Sequence, residues 1–181
     1  MIIKKMFYIS LVCFTFNTAL SAQNGEKMTL TSPSFKHNTA MPDVYTCNGK
    51  STSPALAWTD APKETKSFVL ILDDPDAVGG VWDHWSLFNI PASVQKISED
   101  GKIDGAKMGQ TTNGKIAYIA PCPPKGSGLH RYTFTLYALD VEHITPKDLK
   151  KSSLLEAMKG HLLEESKLVG TYEKKKKFFF F

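Results

Sequence analysis

Arg131–Leu139 reads RYTFTLYAL, with threonines and large apolar residues taking turns along the run. Successive side chains of a strand point to opposite faces, so this period of two predicts a half-buried β-strand. A second run, Ser67–Leu72 (SFVLIL), is almost continuously apolar, as expected of a strand covered on both faces. A third, Trp85–Ile90 (WSLFNI), stops at Pro91. Met28–Leu30, Ala55–Trp58 and Ile116–Ile119 are shorter strand candidates, and the segments between these runs are rich in the Pro, Gly, Asn and Asp that punctuate turns.

Helical signals come late in the chain. Thr145-Pro146-Lys147-Asp148 places a capping hydroxyl before a proline at the first helical position, which predicts a short helix. Ser153-Leu154-Leu155-Glu156 reads as a capping box, and Leu154, Leu155, Met158, Leu162 and Leu163 then recur near helical spacing. That stripe predicts a helix packed as a cover on the sheet. Many strands followed by one or two C-terminal α-helices indicate a mainly β, sandwich-like domain.

The 181 residues suit one domain, and 42% hydrophobic with 22% charged residues is an ordinary globular composition. The net charge of +4 is matched by Lys174–Lys177 alone, so no basic field remains that would suit nucleic acid. Lys4 and Lys5, the apolar Met6–Phe16 and the small-residue site Leu20-Ser21-Ala22 read as a cleavable signal peptide over residues 1–22. Asn17, Thr18 and Ser21 leave the apolar run too short for a bilayer span. The expected product is a periplasmic or secreted single domain over 23–173, with no integral membrane segment after cleavage. The Lys/Phe tail at 174–181 resembles the translation of an A-tract followed by a T-tract, and it is expected to be incidental.

Cleavage would remove Cys13 and leave Cys47 and Cys122. In an oxidising compartment two cysteines invite a disulfide, and two separately buried thiols fit the sequence equally well.

Chemistry concentrates in Asp73–Trp85 (DDPDAVGGVWDHW), where four carboxylates, one imidazole and two indoles share thirteen residues. Gly79 and Gly80 would let this loop fold back. A second histidine, His130, ends the Pro/Gly loop that leads into RYTFTLYAL. No G-x-S-x-G elbow, phosphate loop or H-E-x-x-H motif occurs, and Gly126-Ser127-Gly128 lacks the strand-to-helix setting of a nucleophilic serine. Asp74, Asp76, His84 and His130 lack a metal-ligand spacing, so no metal, cofactor or catalytic residue is assigned.

Asp74-Pro75-Asp76-Ala77, Trp82-Asp83-His84-Trp85 and Pro121-Cys122-Pro123-Pro124-Lys125-Gly126-Ser127-Gly128-Leu129-His130-Arg131-Tyr132, in that order, resemble the phosphatidylethanolamine-binding protein family. The nearer likeness is to its bacterial Raf-kinase-inhibitor-like branch, whose N-terminal signature is similar to Gly49–Trp58. The resemblance spans residues 28–172. It implies a β-sandwich of Greek-key antiparallel sheets with a small anion pocket formed by Asp74, Asp76, Trp82, His84, His130 and Tyr132, with backbone from Ala120, Pro121 and Cys122. Relatives in that branch often carry Tyr-Gly-Gly where this chain has Tyr118-Ile119-Ala120, so the approach of backbone to ligand is expected to differ.

Such a pocket would suit phosphate, phosphoethanolamine or an acetate-like carboxylate, with two imidazoles, a phenol and loop amides as partners. The expected function is therefore an exported binding protein with such a ligand and an unidentified protein partner. A hydrolase with a His/Asp general base, or an inhibitor or host-interaction protein with a vestigial pocket, are the alternatives.

Overall fold

A computed structural model describes residues 27–175, so the expected signal peptide and residues 176–181 of the tail lie outside the described residues. Two sheets face each other. The smaller contains β1 (Thr29–Thr31), β3 (Leu56–Thr59) and β6 (Lys96–Ile97), in the order β1-β3-β6. The larger contains β2 (Thr39–Ala40), β4 (Ser67–Asp74), β5 (Trp82–Pro91), β7 (Lys107–Met108), β8 (His130–Leu139) and β9 (Leu162–Tyr172), in the order β2-β9-β8-β4-β5-β7. Neighbours are antiparallel except for the short parallel pair β2–β9. The expected mainly β sandwich is the fold. Among the described residues no helix is long and apolar enough to cross a membrane.

SFVLIL explains the layering. On β4, Phe68, Leu70 and Leu72 face the core between the sheets, while Val69 and Ile71 face a second core under the helix α1 (Lys151–Ala157). Both sets are removed from water, so the strand has no polar alternation to show. Tyr132, Phe134, Leu136 and Ala138 of β8 lie in the inter-sheet core. At Asn89 the β5 backbone takes a positive φ of 57°, a conformation asparagine tolerates. Its amide holds the Ile144 backbone from both sides, donating to the carbonyl at 3.3 Å and accepting from the N–H at 2.9 Å.

The C-terminal region departs from expectation. No helix starts at Pro146; Asp148 instead accepts the Lys150 N–H at 3.0 Å, and α1 begins at Lys151, so Ser153 lies inside the helix rather than capping it. The helix ends before Gly160, whose φ of +80° reverses the chain, and Leu162 and Leu163 open β9 instead of continuing the stripe. β9 pairs along the whole of β8, from His130↔Tyr172 to Leu139↔Leu162. Ile116–Ile119 is not a strand, although its last residue bonds to β5.

Polar residues hide β9 from pattern reading. Its Glu164 side chain accepts the Met28 amide at 3.0 Å and its Ser166 hydroxyl accepts the Leu30 amide at 2.9 Å. Two backbone donors at the edge of the small sheet are thus satisfied by side chains of the large one. Further along, Gly170 leaves room for Met41: a Cβ there would stand 2.4 Å from the Met41 Cγ.

Candidate functional site

At one end of the sandwich the apolar rows give way to polar ones without changing face. On β4 the series Phe68, Leu70, Leu72 is followed by Asp74; on β8 the series Leu136, Phe134, Tyr132 ends in His130. Antiparallel pairing of the two strands brings these ends together. The His130 Nδ1 lies 2.7 Å from Asp74 Oδ2, and both residues are buried. β5 supplies Trp82 and His84 from the other side. The result is a cavity of about 260 Å³ lined by Asp74, Ala77, Val78, Trp82, His84, Ile119, Ala120, Cys122, Pro123, Pro124, His130 and Tyr132.

His84 has one ring nitrogen committed. Its Nδ1 donates to the Ile119 carbonyl at 2.7 Å, which fixes the proton on Nδ1 and leaves Nε2 without a partner among the described residues. The ring is edge-on to Tyr132, with centroids 5.3 Å apart, and tilted against Trp82 at 6.5 Å. Burial pushes the His84 pKa below the ordinary histidine value, and the Ile119 carbonyl and the Asp74, Asp73 and Asp83 charges oppose that shift without reversing it. Neutral His84 therefore presents an Nε2 lone pair; protonation converts that atom to a donor.

Tyr132 adds a second group. Its hydroxyl is buried next to the Asp74 carboxylate and makes no short hydrogen bond among the described residues. Burial, and then the neighbouring Asp74 carboxylate, push its pKa up, so the phenol stays protonated and able to donate.

Around His130 the contacts are complete. Nδ1 faces Asp74, and Nε2 lies 2.9 Å from the Ser127 hydroxyl, which is also 2.9 Å from the Pro124 carbonyl. Burial of a carboxylate requires a partner that returns the lost hydration, and the imidazole supplies it here.

Two sequence-derived members do not reach the cavity wall. Asp76 accepts the Arg131 guanidinium at 2.9 Å from Nε and 2.7 Å from Nη2, and the Arg131 backbone amide at 2.9 Å. Those bonds hold its carboxyl down at about 2 and brace the loop from outside. Pro121 is buried behind the wall, where its carbonyl accepts the Cys47 amide at 3.0 Å. Of the four residues weighed as metal ligands, Asp74, His84 and His130 line the cavity and Asp76 does not, and among the described residues no cluster of three or more His, Cys, Asp or Glu is placed to hold a metal. Asp73 and Asp83 both pair with Lys151 of α1, at 2.5 and 3.1 Å. Gly79 and Gly80 have φ of +93° and +120°, values that let the loop turn back as expected.

Cys47 and Cys122 are joined by a disulfide that ties the cavity wall to the loop after Tyr45. The Lys174 amine, first residue of the tail, rests 3.2 Å from the Cys122 sulfur and 3.4 Å from that of Cys47.

Sequence reasoning missed Ile119 and Ser127. Ile119 acts through its backbone, which no side-chain pattern reveals. Ser127 carried one signal, its position three residues before His130 in a Gly-Ser-Gly turn.

Comparison with known proteins agrees with this architecture. The family model described as phosphatidylethanolamine-binding protein matches residues 31–173. A "UPF0098 protein" from Methanothermobacter thermautotrophicus is 43% identical over 152 residues, covering 81% of this chain and 99% of the relative. One from Aquifex aeolicus is 39% identical over 163 residues, covering 87% and 95%. Among solved structures, the phosphatidylethanolamine-binding protein homolog CT736 from Chlamydia trachomatis is 42% identical with a TM-score of 0.77, covering 82% of this chain and 98% of the other. YbcL from E. coli is 29% identical with a TM-score of 0.76, covering 81% and 98%. With the fold, the order of its motifs and these relatives in agreement, the chain belongs to the phosphatidylethanolamine-binding protein family.

Proposed function

We propose that the protein binds a small anionic or zwitterionic ligand, a phosphate, phosphoethanolamine or carboxylate, in the cavity between His84 and His130. The observation that carries this reading is the His84 Nε2 on the cavity wall, which has no partner among the described residues and stands beside the Tyr132 ring. A ligand oxygen would engage Nε2 either by bringing its own proton, as a hydrogen phosphate does, or by favouring the protonated ring, whose Nε2–H then donates. Asp74 opposes a bare dianion, but its charge is shared with His130; a ligand that brings its own ammonium suits the site best. The names of the family and of the Chlamydia relative point to the same headgroup chemistry.

Export to an oxidising compartment is part of the proposal, supported by the leader-like residues 1–22 and by the disulfide. Occupancy of the cavity is then the signal read by a protein partner.

Phosphorus NMR and calorimetry with inorganic phosphate, phosphoethanolamine and acetate test the reading. Saturable binding that His84→Ala weakens about tenfold or more supports it. Equal binding by His84→Ala and the unmodified protein would move the ligand elsewhere.

A further inference from the structure

We propose that Ser127, His130 and Asp74 form an acyl-transfer site that hydrolyses small carboxylic esters at the mouth of the cavity. The three side chains make one relay: Ser127 Oγ to His130 Nε2 at 2.9 Å, and His130 Nδ1 to Asp74 Oδ2 at 2.7 Å. With the carboxylate holding the proton on Nδ1, Nε2 becomes the base once the Ser127 hydroxyl turns its proton from the Pro124 carbonyl to the ring, and the polarity is then that of a serine nucleophile. Such a relay is recognised by geometry and not by the fold that carries it. It supplies the nucleophile that the sequence alone did not offer.

Burial divides the relay as the chemistry requires. Asp74 and His130 are 3% and 2% exposed, while Ser127 is exposed on a turn between Gly126 and Gly128. His130 also lines the cavity, so a carbonyl reaching Ser127 would sit at its rim. The Gly128 amide, next after the serine, has no acceptor among the described residues and so remains able to donate to a developing oxyanion.

The steps balance with water as the only co-reactant. Ser127 Oγ bonds to the ester carbonyl carbon as its proton passes to His130 Nε2. The tetrahedral adduct expels the alcohol, which leaves with that proton, and Ser127 is acylated. Water then adds to the acyl carbon, giving a proton to Nε2. Collapse breaks the bond to Oγ, releases the carboxylic acid and returns the proton to Ser127.

The Pro124 carbonyl defines the competing role. A serine that only braces His130 would donate there permanently and would not react. A fluorophosphonate probe, with the adduct located by mass spectrometry, separates the two, and release of 4-nitrophenol from 4-nitrophenyl acetate measures turnover. The expected results are an adduct on Ser127 and turnover lowered about tenfold or more in Ser127→Ala and in Asp74→Asn. No adduct on Ser127, or unchanged turnover in Ser127→Ala, overturns the proposal. If Asp74→Asn fails to fold, the exposed Ser127→Ala variant and the adduct decide alone. Because the probe reports the hydroxyl and not the cavity, its result is independent of whether anions bind.

Discussion

Ile119 holds His84 twice: its amide donates to the His84 carbonyl at 2.9 Å, and its carbonyl accepts the His84 Nδ1 proton at 2.7 Å. Both bonds are made by backbone, so the isoleucine side chain is not what orients the ring. Ile119→Gly is therefore expected to keep ligand affinity within a few-fold. Ile119→Pro, which lacks the amide, is expected to lose about 1–3 kcal/mol of stability and to weaken anion binding. Urea unfolding and acetate calorimetry on both variants check the pair.

Acidity acts on His84 in two opposite ways. Its pKa is lowered in the folded state, so the stabilisation that goes with the neutral ring is full above the ordinary value of about 6.5 and is lost as pH falls through the lowered one. A bound anion favours the protonated ring, so acetate affinity should rise over the same fall in pH. His84→Asn should flatten both profiles. Affinity that strengthens as pH rises would contradict the assignment of His84 Nε2 as the anion donor.

The Asp74–His130 pair predicts a non-additive cycle. Removing the carboxylate alone strands a buried imidazole, and Asp74→Ala is expected to cost about 3–5 kcal/mol. The double variant with His130→Ala should cost less than the sum of the singles. Denaturant midpoints of the four proteins give the coupling; strict additivity would mean that the pair contributes no interaction of its own.

The disulfide closes a loop spanning a sequence separation of 75 residues. Its reduction is expected to lower stability by about 4 kcal/mol on chain-entropy grounds. It should also free the wall carrying Ala120 and Cys122, so ligand affinity falls together with the melting temperature. Thermal unfolding and calorimetry with and without a thiol reductant read both effects.

The central strands were legible because burial wrote their pattern: SFVLIL has no polar face, and RYTFTLYAL has one of each kind. Asp74, His84, His130 and Tyr132 were legible through the family's motifs, and the structure brings all four to one cavity. Asp76 was misplaced because the same D-P-D turn that aims one carboxylate inward turns the other towards Arg131, a partner 55 residues away that local reading does not register. β9 was hidden for a related reason. Its Glu164 and Ser166 serve the amides of β1, so tertiary contact decides their polarity, and the leucines before them mimic a helical stripe.

That clasp has a kinetic meaning. β8 lies inside the large sheet only because β9 covers its outer edge, and β1 is anchored by side chains 136 positions further along. Loop closure over such separations is slow, and the large sheet cannot be completed before Tyr172 has been synthesised. A growing chain on the ribosome would hold RYTFTLYAL as an open edge until its last strand arrives, a state suited to chaperone capture.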